Sequence, residues 1–362
     1  MSLEEHSTIP PPPPSFVPPP PSMMHIGGAT HNLAKDNHSF RFSENPTAGV
    51  FFVETQLEGH VVVKAIATIA QELFGSKIAS FLELKTPQIQ LIEYKADFKN
   101  PIKTYWSKCK KYLKEFATKH ELFVKERKLN KELYRAFFLL IELVEGAYSL
   151  EDLMNHEELA REILTNPVVL NDIGRMVVMD IIINNCDRFP LDLIWEHEGN
   201  SSNVLFSIIN TNNKGSSRVA CIDQPYMAVI DDKQKKEYLT KIEKFAEACC
   251  SSSPRSDMHE NPYLTQIWKY ISDVTGVNLD ESSTSGGDHD DNKRCNKEIL
   301  QGIMDAVQFL KGLNRTKLEE FKTQVERMKT GSDCDGVYFQ SVLTIDVDFL
   351  EEAIERMTFE LR

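Results

Sequence analysis

Residues 166–184, NPVVLNDIGRMVVMDIIIN, are apolar on nearly every side of a helix, and no other stretch constrains the fold as strongly. A helix that is hydrophobic all round has to be buried inside a larger body. Asn166 is a favoured N-cap, and Pro167 stands at the first helical position, where its missing N–H is not needed. Arg175 and Asp180 are polar interruptions within its second half. The run stops abruptly at Asn184-Asn185-Cys186-Asp187-Arg188. After a polar loop, Asn203 precedes the strand-like Val204-Leu205-Phe206, and Asp223 follows the strand-like Val219-Ala220-Cys221-Ile222.

The bulk properties limit the possibilities. At 362 residues the chain has room for one large domain or two lobes. A net charge of −13 argues against nucleic acid or an anionic membrane as the main partner. No apolar run reaches the roughly 18 residues that a membrane span needs. The N-terminus lacks the charged-then-apolar pattern of a secretion signal, so a cytoplasmic protein is expected. The seven cysteines form no CxxC pair, which fits reduced thiols and no zinc site.

The chain divides into three parts. Residues 1–37 read as a disordered tail with proline blocks between Pro10 and Pro21. Such blocks adopt polyproline II, and they suit the aromatic grooves of profilin or another proline-binding domain as well as they suit a solvated tail. Residues 38–146 read as a small antiparallel sheet. Its strands are expected near Phe40–Phe42, Val50–Val53, Val61–Lys64 and Ile89–Ile92, with helices over 66–82 and 102–128. Alternation and turn residues mark the strands, and apolar stripes mark the helices. Ala136–Val144 is a strongly apolar connecting strand. Residues 147–362 read as mostly helical: 167–184, 232–249, 262–275, 294–313, 315–328 and 346–361. The polar run SSTSGGDHDDN makes a disordered excursion near 281–293. Ser149 and Asp152 have capping-box spacing. The fold class is α+β.

Several residues stand where chemistry could use them. Lys64 closes the strand Val61-Val62-Val63, where an ammonium can face a cleft and neutralise phosphate oxygens. Glu72, on the next helix, can hold it through an ion pair. Leu139–Gly146 reads as a hinge whose exposed backbone, the Glu142 carbonyl and Val144 amide, could read an adenine edge. Asp187 suits a base that orients a hydroxyl, and Arg188 could offset charge on a transferred phosphate. Asn203 and Asp223 offer oxygen atoms, which a hard cation such as Mg²⁺ favours. Asn200 rivals Asn203, which is preferred because the apolar strand begins directly after it. Taken singly, each of these residues also reads as an ordinary cap, turn or surface residue.

The run NNCDRFPLDLIWEHEGNSSNVLF with ACIDQP, together with VVVKA, AQELFGSKIASFL and FLLIELVEG, resembles the catalytic domain of actin-fragmin kinase, an atypical protein kinase. The resemblance covers about residues 38–360. It implies a two-lobed protein-kinase-like fold that uses ATP and Mg²⁺ to phosphorylate threonine on actin held by a fragmin- or gelsolin-type capping protein. It implies Asp187 as catalytic base with Arg188 beside it, Asn203 and Asp223 as metal ligands, and Lys64 with Glu72 at the nucleotide. No G-x-G-x-x-G is present, so the backbone amides of Thr47, Ala48 and Gly49 would have to cover the phosphates. Cys186-Asp187-Arg188 stands in place of H-R-D, and Ile222-Asp223-Gln224 in place of D-F-G. Three further readings stay open: a pseudokinase, an actin-binding module without turnover, and a lipid kinase.

Overall fold

A computed structural model describes residues 23–24, 40–43, 50–55, 59–64, 66–93, 137–144, 146–211, 214–251, 261–277, 290–328 and 335–359. The expectations for the Pro10–Pro21 tail, for Thr47, Ala48 and Gly49, and for a helix over 102–128 lie outside these residues.

Strands β1 (Met23–Met24), β2 (Phe40–Ser43), β3 (Val50–Thr55), β4 (Gly59–Lys64), β5 (Ile89–Glu93) and β6 (Phe137–Glu142) form one sheet in the order β1-β2-β3-β4-β6-β5. Helix α1 (Ile69–Phe81) follows β4. A second sheet holds β7 (Ala147–Ser149), β8 (Val204–Thr211) and β9 (Lys214–Cys221), in that order. The strand pairs within both sheets are antiparallel. The remaining helices are α2 (Glu157–Leu164), α3 (Pro167–Ile183), α4 (Asp232–Ser251), α5 (Pro262–Thr275), α6 (Asp290–Leu310), α7 (Arg315–Arg327), α8 (Asp335–Leu343) and α9 (Val347–Thr358). The architecture is α+β and mostly helical.

Helix α3 is the apolar stretch that the sequence singles out. The Asn166 side chain accepts the Val168 N–H at 2.9 Å, with Pro167 at the start of the helix. At the other end Asn184 adopts φ +54°, a left-handed cap that asparagine tolerates better than most residues. Val177, Val178, Ile181, Ile182 and Ile183 are buried, each stabilising the fold by about 1.5–3 kcal/mol. Helix α6 crosses α3 closely because two glycines meet there. A Cβ on Gly174 would collide with the Ile299 carbonyl, and one on Gly302 with that of Asn171.

Two expectations about disorder need correcting. Met23–Met24 pairs with Phe42 and Ser43, inside the stretch read as tail; beyond the last proline the backbone regains the N–H groups that a strand needs. Helix α6 begins at Asp290, within the segment read as an excursion. The short elements α2, α8 and β7 carry too few periodic residues to stand out in the sequence. Ser149 and Asp152 do exchange bonds as a capping box: Ser149 N–H to Asp152 Oδ2 at 2.8 Å, and Asp152 N–H to Ser149 Oγ at 3.1 Å. Among the described residues no helix is long and apolar enough to cross a membrane.

Candidate active site

Strand β4 is flanked by β3 and β6, and its last residue, Lys64, stands opposite Val50 on one side and Leu139 on the other. Its ammonium is buried and shared by two acids. Lys64 Nζ donates to Glu72 Oε2 at 3.1 Å and to Asp223 Oδ1 at 2.5 Å. Burial alone would lower the lysine pKa, but the two carboxylates outweigh it and hold it above its ordinary value. Burial pushes Glu72 upward, against the pull of Lys64, and the neighbouring Asp223 charge adds to the rise. Glu72 is 1 % exposed, whereas the Asp223 side chain is 31 % exposed, so the cluster opens outward at Asp223.

The Asp223 segment lies directly against α1. Gln224 N–H donates to Glu72 Oε1 at 3.3 Å, and Gln224 Nε2 to Ser76 Oγ at 2.8 Å. The approach is close enough that a Cβ on Gly75 would collide with the Gln224 carbonyl oxygen. Asp223 itself has φ +52°, a sparsely populated region for a residue with a side chain. That kink ends the run from β9 and turns the carboxylate towards Lys64.

Asp187 stands four residues beyond the end of α3. Asn203 reaches back to it, its Nδ2 donating to Asp187 Oδ2 at 2.9 Å and to the Asp187 carbonyl at 3.0 Å. The 16-residue separation of these two is thus closed by a direct bond. Asn200 takes a different part: its Oδ1 accepts the Ser202 N–H at 3.2 Å and caps the short 3-10 turn before β8. Asn185, which the sequence reading passed over, ties the two halves together. Its Oδ1 accepts the Asp187 N–H at 3.3 Å, while its Nδ2 donates to the Asp223 carbonyl at 3.2 Å and to Asp180 Oδ1 at 3.1 Å.

Arg188 requires a correction. A guanidinium facing a transferred phosphate would have to reach the cleft, yet Arg188 is 0 % exposed. It is ion-paired to Asp180 and donates to the carbonyls of Ile222, of Asp223 at 3.2 Å and of Asn203 at 3.3 Å. Its donors therefore join the segments that carry Asp187, Asn203 and Asp223. Asp180, an acid near the end of α3, is its partner; burial pushes that carboxyl up to about 7, with Arg188 opposing the rise. An acid in the apolar second half of the helix, followed eight residues later by an arginine, was the available signal.

Glu142 and Val144 lie at the end of β6. Val61 pairs with Glu142 and Lys64 with Leu139, so this backbone is about 10 Å along the sheet from Lys64. Glu142 N–H donates to the Gln88 carbonyl at 2.9 Å, and its side chain accepts the Gln88 N–H at 3.1 Å. Lys64, Glu72 and Asp223 are thus gathered in one cluster and Asp187 with Asn203 in a second, bridged by Asn185 and Arg188.

The family model for the actin-fragmin kinase catalytic domain matches residues 34–286. The chain belongs to that family. It is also similar to a Dictyostelium discoideum protein whose name places it among the actin-fragmin kinases, with 24% identity over 327 residues, covering 86% of this chain and 70% of that protein. Membership supports a kinase-like function.

Proposed function

We propose that this protein is a protein kinase that transfers the γ-phosphate of ATP to a serine or threonine hydroxyl. Its acceptor is a threonine of actin held by a fragmin-type capping protein, and it works in the cytoplasm at the actin cytoskeleton. The observation that carries the reading is the pair of bridged clusters, Lys64–Glu72–Asp223 and Asp187–Asn203. The choice of actin rests on the family and on the name of the Dictyostelium relative. In this reading the six-stranded sheet with α1 is the small lobe and the helical remainder the large one.

The donor set fits a nucleotide with Mg²⁺. Two carboxylates share one ammonium, which leaves excess negative charge at the partly open Asp223. Mg²⁺ is commonly held by one or two protein oxygens with substrate phosphates completing the shell. Asp223 and the Asn203 amide oxygen would hold it, and bound there it would neutralise charge on the phosphates. Lys64 supplies a fixed ammonium for phosphate oxygens, kept in place by Glu72. One Asp187 oxygen is occupied by Asn203, which orients the carboxylate and leaves its other oxygen to take the hydroxyl proton. Arg188 is a positioning residue that holds the three loops together.

The test is phosphate incorporation from labelled Mg-ATP into actin, with and without a capping protein. Asp187→Ala should reduce it by at least about a hundredfold. Equal incorporation by wild type and variant would sink the kinase reading.

A further inference from the structure

Helix α1 places Glu72 in its first turn, where a helix is least secure because its leading N–H groups have no partners within the helix. The usual remedy is a side chain at the N-cap, but Thr68 makes no such bond. The partner comes from far along the chain. Ser341, on α8, accepts the Ala70 N–H at 3.2 Å and donates to Gln71 Oε1. Gln71 Nε2 in turn donates to Thr344 Oγ1 at 2.6 Å, and Thr344 closes back on the Ser341 carbonyl at 2.7 Å. Gln71 and Ser341 are both buried. The Gln71 carbonyl accepts the Tyr226 N–H at 3.2 Å, three residues beyond Asp223. Gln71 and Glu72, adjacent on α1, therefore bind α8, the Asp223 segment and Lys64.

We infer that Ser341 and Thr344 are positioning residues for the candidate site: they cap the first turn of α1 from outside and so hold Glu72 on Lys64. The inference rests on the kinase reading above for its catalytic consequence, but not for the cap. Both residues lie outside the span 34–286 that the family model matches. The placement of Glu72 is thus built into the chain by a C-terminal segment that bonds to α1 directly.

The experiment compares Ser341→Ala with Ser341→Thr, which keeps the hydroxyl, each in the wild-type and Glu72→Gln backgrounds. Amide exchange of the α1 peptide is read alongside kcat and the KM for Mg-ATP. Ser341→Ala should speed exchange in the first turn of α1 and lower kcat by roughly 3- to 30-fold, the range of a lost helix cap. Ser341→Thr should restore most of both. In the Glu72→Gln background the residual turnover should lose little more, because the pair that the cap protects is already gone. A purely structural role would lower stability alike in both backgrounds and leave kcat per folded molecule unchanged. Unchanged exchange in Ser341→Ala overturns the cap. Faster exchange with unchanged kcat, where Asp187→Ala abolishes turnover, overturns its link to the site. If Asp187→Ala also leaves turnover intact, the kinase reading is what has failed, and exchange still decides the cap.

Discussion

Lys64 and Arg188 are both buried cations held by acids, and the contrast between them separates two uses of the same chemistry. Lys64 touches two side-chain carboxylates, one of them partly open to solvent. In the kinase reading the Asp223 carboxylate is the partner that gives way to a phosphate oxygen, while Glu72 stays on Lys64 and on the Gln224 N–H. Arg188 is itself wholly buried, and it touches one acid and three main-chain carbonyls. Nothing there can be exchanged without releasing the loops that carry Asp187, Asn203 and Asp223. A planar guanidinium with five fixed donors suits the second task, and a compact ammonium suits the first. A buried charge is thus evidence for a working site only when its partners can be replaced.

The contrast breaks most readily at Arg188. Arg188→Met takes the guanidinium from the Ile222 and Asn203 carbonyls and leaves Asp180 and the Asp223 carbonyl with Asn185 as donor. Unpairing a buried ion pair costs about 3–5 kcal/mol, so denaturant unfolding should show a loss of that size. A small change would mean that the guanidinium is not the knot the geometry makes it. Glu72→Gln is the corresponding change on the other side. It removes one of the two acids sharing Lys64 and relieves their mutual repulsion, so stability should move by no more than about 1 kcal/mol. Turnover should nevertheless fall by roughly 10- to 100-fold, since an unfixed ammonium is misplaced in the transition state. Parallel losses of stability and turnover would erase the distinction between the two cations.

The smallest effect concerns pH. Asp180 titrates near 7 in the folded protein against 3.8 for an ordinary aspartate. Between those values the native chain keeps a proton that the unfolded chain has released. The stability this contributes is full below 3.8 and is lost as pH rises through about 7. Between pH 6 and 8 the wild type should therefore lose on the order of 1 kcal/mol relative to Asp180→Asn, which cannot titrate. Unfolding curves of the two proteins at both pH values measure this. A constant difference would show that Asp180 stays ionised against Arg188 throughout.

Much of the architecture was legible in local pattern. The all-round apolar run with Asn166 and Pro167 marks α3, and Ser149 with Asp152 marks a capping box; both depend only on near neighbours. The residues that the fold gathers into the two clusters were legible as candidates too, because Lys64, Glu72, Asp187, Asn203 and Asp223 sit near the ends of recognisable segments. The direction in which Arg188 points was not. It follows from the left-handed turn at Asn184 and from the positive φ of Asp223, which bring three carbonyls around one buried side chain. Asn185 was overlooked for a similar reason, since an asparagine after a helix reads first as a cap.

The sequence by itself therefore determined which segments must be buried and which polar residues end them, since periodicity and capping act over a few residues. Only the tertiary structure decided that Arg188 knots the loops while Lys64 faces an open acid. It also decided that the first turn of α1 takes its cap from Ser341, 271 residues beyond Ala70. Partnerships of that kind depend on how distant segments pack, and no local pattern carries them.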